Sequence, residues 1–111
     1  MTSEFLPVPD LSFHVLLALA EGRRHGWGVI KRIEEITEGR DSPSSGSLYL
    51  AMGRLEGKGL IEEAPGPPDG EDARRRYYRL TELGHRVLDA EVGRLAGLVD
   101  RARAAGVAGR G

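Results

Sequence analysis

The side chains in this 111-residue chain best suited to chemistry are hydroxyls and arginines, gathered in two places. Ser44, Ser45 and Ser47 open a helical pattern that carries Tyr49 and Arg54 further along. Arg74, Arg75 and Arg76 form a run within residues 73–81, which contain no acid. Serine, tyrosine and arginine donate to phosphate oxygens and to base edges, so both clusters suit recognition of a polyanion. A structural role is open to each as well. The serines can simply cap a helix. Tyr49 can be a core residue, and Arg54 can pair near Glu56. Alternate residues of a strand face opposite ways, so Arg74 and Arg76 oppose Arg75 if pairing extends that far. One set then points at a ligand, and the other pairs with Glu62 or Glu63 across a hairpin.

Catalytic constellations are missing. With no cysteine, a thiol nucleophile, a disulfide and a thiolate zinc site are all excluded. His14, His25 and His85 lack metal-ligand spacing, and His14, inside an apolar helix, reads as a packed or interface histidine. The neighbours Glu34-Glu35 and Glu62-Glu63 diverge on a helix or strand and make no acid/base pair. No nucleophile elbow and no phosphate-binding glycine loop occurs. The chain is therefore read as a non-enzyme with no cofactor and no metal. Formal charge is −1, but five acids and no base lie in residues 61–72, directly before the arginines. A local cluster of this kind can attract an anion, because a charge is felt within a Debye length of about 8 Å.

Five elements must position these groups. Leu11, Val15 and Leu19 with Leu16, Phe13 and Leu17 predict a helix buried on more than one side, after a cap near Asp10. Gly22 stops it, and Arg23 to Gly26 reads as a polar turn. Trp27 to Thr37 predicts a second helix, with Val29, Ile30, Ile33 and Ile36 on its apolar face. The third helix follows Ser44, turns Leu48, Met52 and Leu55 to the core, and ends at Gly59. Leu50 and Ala51 fall near its opposite face, where Leu50 can touch a thymine methyl. Residues 60–63 and 76–80 predict two strands joined by a Pro/Gly/Asp turn, with Tyr77 and Tyr78 on opposite faces. The last helix, from Thr81 to about Ala105, sends Leu83 and Val87 back to the core. Leu88, Val92, Leu95, Val99 and Ala102 then make an apolar seam of about two heptads, suited to a second helix.

Helix, helix, helix, hairpin, helix is the order of a winged helix-turn-helix with a long C-terminal helix. The predicted fold is mostly α, a three-helix core with a two-stranded wing. In such a fold the third helix lies in the DNA major groove. The expected organisation is a flexible arm at 1–8, a DNA-binding unit at 9–81, a dimerisation helix at 82–105 and a disordered tail at 106–111. No run of about 18 apolar residues and no signal-like start is present, so the cytoplasm is the expected compartment.

The residues also resemble the PadR-like transcriptional regulators. Gly46-Ser47-Leu48-Tyr49, Arg54-Leu55-Glu56, Gly59-Leu60-Ile61 and Arg76-Tyr77-Tyr78 with Leu80-Thr81 and Gly84 carry the likeness. LLALAEGRRHGWGVI resembles that family's first helix and turn, with Trp27 where tyrosine is usual. The likeness spans about residues 11–100 and is closest to the short class with one C-terminal helix. It implies a homodimeric repressor on a pseudo-palindromic operator, with Tyr49 facing DNA. It also implies release by a small hydrophobic or aromatic effector in some members, for which Trp27 is the candidate contact; the other role open to Trp27 is to anchor the second helix. Two departures stand out. Ser45 replaces a common proline, and Asp69, Glu71 and Asp72 put acid at the wing tip. The acid supports a second reading, a winged-helix protein-interaction module without DNA binding.

Overall fold

The three other α-helices and the sheet pack on the first helix. The computed structural model describes residues 2–68, 70 and 74–109. Helix α1 (Asp10–Ala20) touches α2 (Gly26–Ile36), α3 (Ser45–Gly57), α4 (Glu82–Ala104) and the sheet. Its all-round apolar sequence is the reason: Val15, Leu16 and Ala18 are fully buried. Val29 and Ile33 of α2, Leu48 of α3, Ile61 and Val87 complete the same core.

Each helix starts on a capping side chain or a proline turn. Pro9 precedes α1, and Asp10 is its first residue rather than its cap. The His25 ring caps α2, its Nδ1 accepting from Gly28 N–H at 3.0 Å. Ser44 Oγ caps α3 by accepting from Ser47 N–H at 3.1 Å, and Thr81 Oγ1 caps α4 through Gly84 N–H at 3.0 Å. Two glycines are required by geometry. Gly59 turns the chain out of α3 at a φ of 77°. At Gly84 a Cβ would lie 2.0 Å from the Leu60 carbonyl oxygen, so only glycine lets α4 sit on that turn.

The sheet has three strands, not the expected two. Strands β2 (Ile61–Ala64) and β3 (Tyr77–Leu80) form the hairpin, with Ile61 opposite Leu80 and Glu62 opposite Arg79. Strand β1 (Arg24–His25), read from sequence as a turn, pairs with the other edge of β3, opposite Tyr78 and Tyr77. Two polar residues carry no period from which a strand can be read. Their place is held by side chains instead. Glu21 accepts from Arg32 Nε and Nη2 at 2.6 and 2.7 Å and from Arg24 Nη2 at 3.0 Å. Arg23 donates to the Pro65 carbonyl at 2.6 Å and lies over the Tyr77 ring. The tyrosines split as expected, Tyr78 buried and Tyr77 half-buried.

The N-terminal stretch does not stand off as an arm. Residues Ser3–Phe5 form a 3-10 turn, and Val8 is buried. Val8 N–H donates to Glu91 Oε2 at 2.9 Å, and Arg94 Nε and Nη2 donate to the same carboxylate at 2.6 and 3.0 Å. Glu91 is 1% exposed, the one buried charged residue among those described. The Arg94 guanidinium holds its carboxyl below the usual carboxylate range, and the Val8 N–H adds to this, against the upward push of burial.

Beyond Glu91 the character of α4 changes. Leu88 is 6% exposed and belongs to the protomer's own core, so it is not part of the seam. Val92 and Val99 are each 47% exposed, Leu95 and Ala102 half-buried. Leu98, not assigned to the seam from sequence, is exposed beside them. The distal half makes the molecule long: its radius of gyration is 15.4 Å, against about 13 Å for a compact chain of this length.

Candidate nucleic-acid interface

Helix α3 turns a bare strip to solvent. Gly46, Leu50, Gly53 and Gly57, spaced four, three and four, form one exposed line. Leu50 is 65% exposed. Ala51, expected near this face, is instead 4% exposed and points into the core, because it lies a turn from Leu48 and beside Leu55. The candidate polar groups flank the strip. Tyr49 stands on one side; Ser47, Arg54 and Lys58 stand on the other.

Tyr49 is 57% exposed, which removes the core reading. Its ring packs over Gly26, where a Cβ would lie 3.0 Å from the hydroxyl oxygen. The wing base completes that flank: His25, Gly26, Trp27, Tyr49, Arg75 and Arg76 line one groove of about 270 Å³. Three elements far apart in sequence thus meet beside the exposed strip of α3. Arg75 Nη1 lies 3.5 Å from His25 Nδ1. Arg76 Nε lies 3.6 Å from Glu63 Oε1 with both side chains mostly in water, so this pair is weak. Arg79, not counted among the candidates, is the arginine that pairs closely across the hairpin, 2.9 Å from Glu62. Arg74 is exposed. Because β3 begins at Tyr77, strand alternation does not govern residues 74–76.

On the serine cluster, Ser44 Oγ both accepts from Ser47 N–H and donates to Ser47 Oγ at 3.0 Å. Ser45 is exposed with no side-chain partner among the described residues. Trp27 does not anchor α2 in the core. It is 52% exposed, with Lys31 Nζ 4.6 Å from its ring centroid. His14 is part-buried, its Nδ1 3.1 Å from Asp41 Oδ2, which ties α1 to the turn before α3. The acidic wing-tip residues Asp69, Glu71 and Asp72 lie outside the described residues.

Two contributors to this surface escaped sequence reasoning. His25 caps α2 and floors the groove, and Lys58 extends the cationic flank of α3. Among the described residues no group of histidines and acids is placed to hold a metal ion, and no helix is long and apolar enough to cross a membrane.

A three-helix core, an antiparallel wing and a third helix with a free outer face define a winged helix-turn-helix protein. Its sequence places it further: the profile of the transcriptional regulator PadR-like family matches residues 15–90, and the chain belongs to that family. It is 38% identical over 92 residues to an uncharacterized 37.1 kDa protein in transposon TN4556 of Streptomyces fradiae. That match takes in 83% of this chain but 25% of the relative, so the chain spans about a quarter of that protein's length. Among solved structures it resembles a transcriptional regulator from Clostridium thermocellum, with 27% identity, a TM-score of 0.69, and 84% and 86% of the two chains covered. It shares the fold of a PadR family transcription regulator from Clostridium difficile, at 22% identity and a TM-score of 0.72 over 86% and 96%. It also shares that of Bacillus subtilis PadR, solved in complex with operator DNA, at 21% and 0.65 over 78% and 48%.

Proposed function

We propose that this PadR-family regulator is a sequence-specific DNA-binding repressor that works as a cytoplasmic homodimer. The observation that carries this reading is the meeting of Tyr49, Trp27, Arg75 and Arg76 around one groove beside the bare face of α3. With α3 in the major groove, the Gly46–Leu50–Gly53 strip faces the bases. Ser44, Ser47 and Arg54 on one flank, and Ser45 and Tyr49 with Arg74, Arg75 and Arg76 on the other, face the two phosphate backbones. The likeness in fold to Bacillus subtilis PadR, which was solved in complex with operator DNA, supports DNA as the partner. In this position Trp27 belongs to the DNA-facing side rather than to a separate effector chamber.

The apolar half of α4 supports pairing. Val92, Leu95, Val99 and Ala102 need a cover, and a second α4 supplies one of matching character. Two recognition helices then address major grooves roughly 34–36 Å apart, which calls for a pseudo-palindromic operator. Release of DNA requires an effector or partner that binds the DNA-free dimer better.

Fluorescence anisotropy tests the reading. DNA from upstream of the chain's own gene, and from a genome-wide selection, is titrated against a scrambled control at several salt concentrations. Tight binding to a palindromic site and a steep negative salt slope are expected. Absence of preference and of salt dependence on every DNA tried would instead favour the protein-interaction module.

A further inference from the structure

A second groove lies on the opposite flank of α3, and of its lining the DNA-binding reading uses only Ser47, Leu50 and Arg54 on the α3 rim. It measures about 300 Å³, the lower end of small-molecule sites. Phe5, Val8 and Pro9 of the N-terminal segment form one wall, with Leu11 and Ser12 of α1 behind them. Leu50, Leu55 and Leu60 supply the facing wall. The segment that closes the first wall is held in place by the Val8–Glu91 hydrogen bond.

The charged groups of the groove are all of one sign, and its other polar side chains are the hydroxyls of Ser12 and Ser47. Arg54 and Lys58 lie one turn apart on its α3 edge, and no acidic residue lines it. Among the described residues neither cation has a side-chain hydrogen bond or ion pair. Two unpaired cations beside an apolar trough match a molecule with the converse structure.

We propose that this groove binds an amphipathic carboxylate, with its head at Arg54 and Lys58 and an apolar body on the order of ten carbons along Phe5, Val8, Leu11 and Leu55. A phosphate backbone would satisfy the cations but has no apolar body to fill the trough. The distal α4 of a second copy would bring Arg101 and Arg103 against Asp100 alone, a net positive charge facing two more cations. Ser47 and Arg54 border the groove and are also DNA candidates, so an occupied groove competes with DNA for the same side chains. That competition rests on the DNA-binding reading; occupancy of the groove does not.

Isothermal titration of the full chain with decanoate, decanol and decyltrimethylammonium, each below its micelle concentration, tests the site. Decanoate should bind one per chain, and decanol about tenfold or more weaker, the worth of a charge-assisted hydrogen bond. The double variant Arg54→Glu/Lys58→Glu, at two exposed positions that leave the core intact, should lose decanoate and gain decyltrimethylammonium. Thermal melts followed by circular dichroism check that the variant is folded. Saturable decanoate binding that survives the charge reversal, or no saturable binding to the wild type, would overturn the proposal. Added to a DNA complex, decanoate should lower the anisotropy of wild type. Binding without that drop overturns the competition and leaves the site standing, and a chain that binds no DNA still reports on the groove through the titration.

Discussion

Helices α3 and α4 each offer solvent a long face, and the two faces are made of opposite material. The outward line of α3 is three glycines and one leucine, edged by hydroxyls and cations. That of distal α4 is valine and leucine over about three turns. Exposed glycine costs helix stability and exposed aliphatic surface costs solubility, so neither face suits an isolated protomer. The α3 face lets a polar surface come close to the helix backbone. The α4 face repays its exposure only against a similar apolar helix. The contrast is the one the proposed function calls for, a face for DNA at one end of a small chain and a face for a second copy at the other.

The comparison breaks most visibly at α4. Leu95→Asp with Val99→Asp should turn the dimer into a monomer at micromolar concentration, because two charges would be buried without partners. Sedimentation equilibrium reads this directly, and a double variant that still sediments as a dimer would move the seam elsewhere.

Glu91 marks the point where α4 passes from core to free face. Glu91→Ala should cost about 1–3 kcal/mol in denaturant unfolding, because the Val8 N–H loses its acceptor, while Arg94, a third exposed, regains water. Acid should act in the same direction. Glu91 holds its proton less tightly in the folded chain, as does Glu21, whose carboxyl the Arg32 guanidinium draws down to about 2 from 4.5. Their contribution is complete above the unfolded value and is lost as the pH falls through the folded one. Wild-type unfolding midpoints should fall between pH 5 and 2, and Glu91→Ala should flatten that fall; parallel curves would remove Glu91 from the acid response.

At the α3 end the effects are smaller. Arg75→Ala with Arg76→Ala should weaken binding to all DNA sequences alike and, with four arginines lost per dimer, reduce the salt slope by up to about 3.6. An unchanged slope would take the wing base out of the interface. Gly53→Ala sharpens the contrast most finely. Its new methyl meets nothing within 4 Å in the protomer, so stability should rise by about 0.4–1 kcal/mol. Operator affinity should fall, because the methyl stands where the bases approach. Gain in both would show that α3 does not come close to its ligand along this line.

Much of the site was legible for local reasons. The Ser44 cap, the inward Leu48, Met52 and Leu55, and the Gly59 stop all act within one helical turn, and local rules govern them. For Tyr49 the period left a core place open, and it was the family resemblance that turned it to DNA; Ala51, read near the outer face with Leu50, stands three residues after Leu48 and four before Leu55, so the helical period itself carries it inward. The bond between Val8 and Glu91 joins residues 83 positions apart, and no local pattern announces it. Strand β1 was invisible because two polar residues have no period, and it exists only because β3 offers an open edge.

The order of elements, their ends, the family and the residue types that face a polyanion are determined by the sequence itself, since each depends on neighbours within a few residues or on a motif. Which arginines pair and which remain open was decided by the tertiary structure. Glu62 lies opposite Arg79, Glu21 gathers Arg24 and Arg32, and Arg54 and Lys58 are left beside an apolar trough. Charge acts over ångströms of space rather than along the chain, so only packing can say where each guanidinium ends.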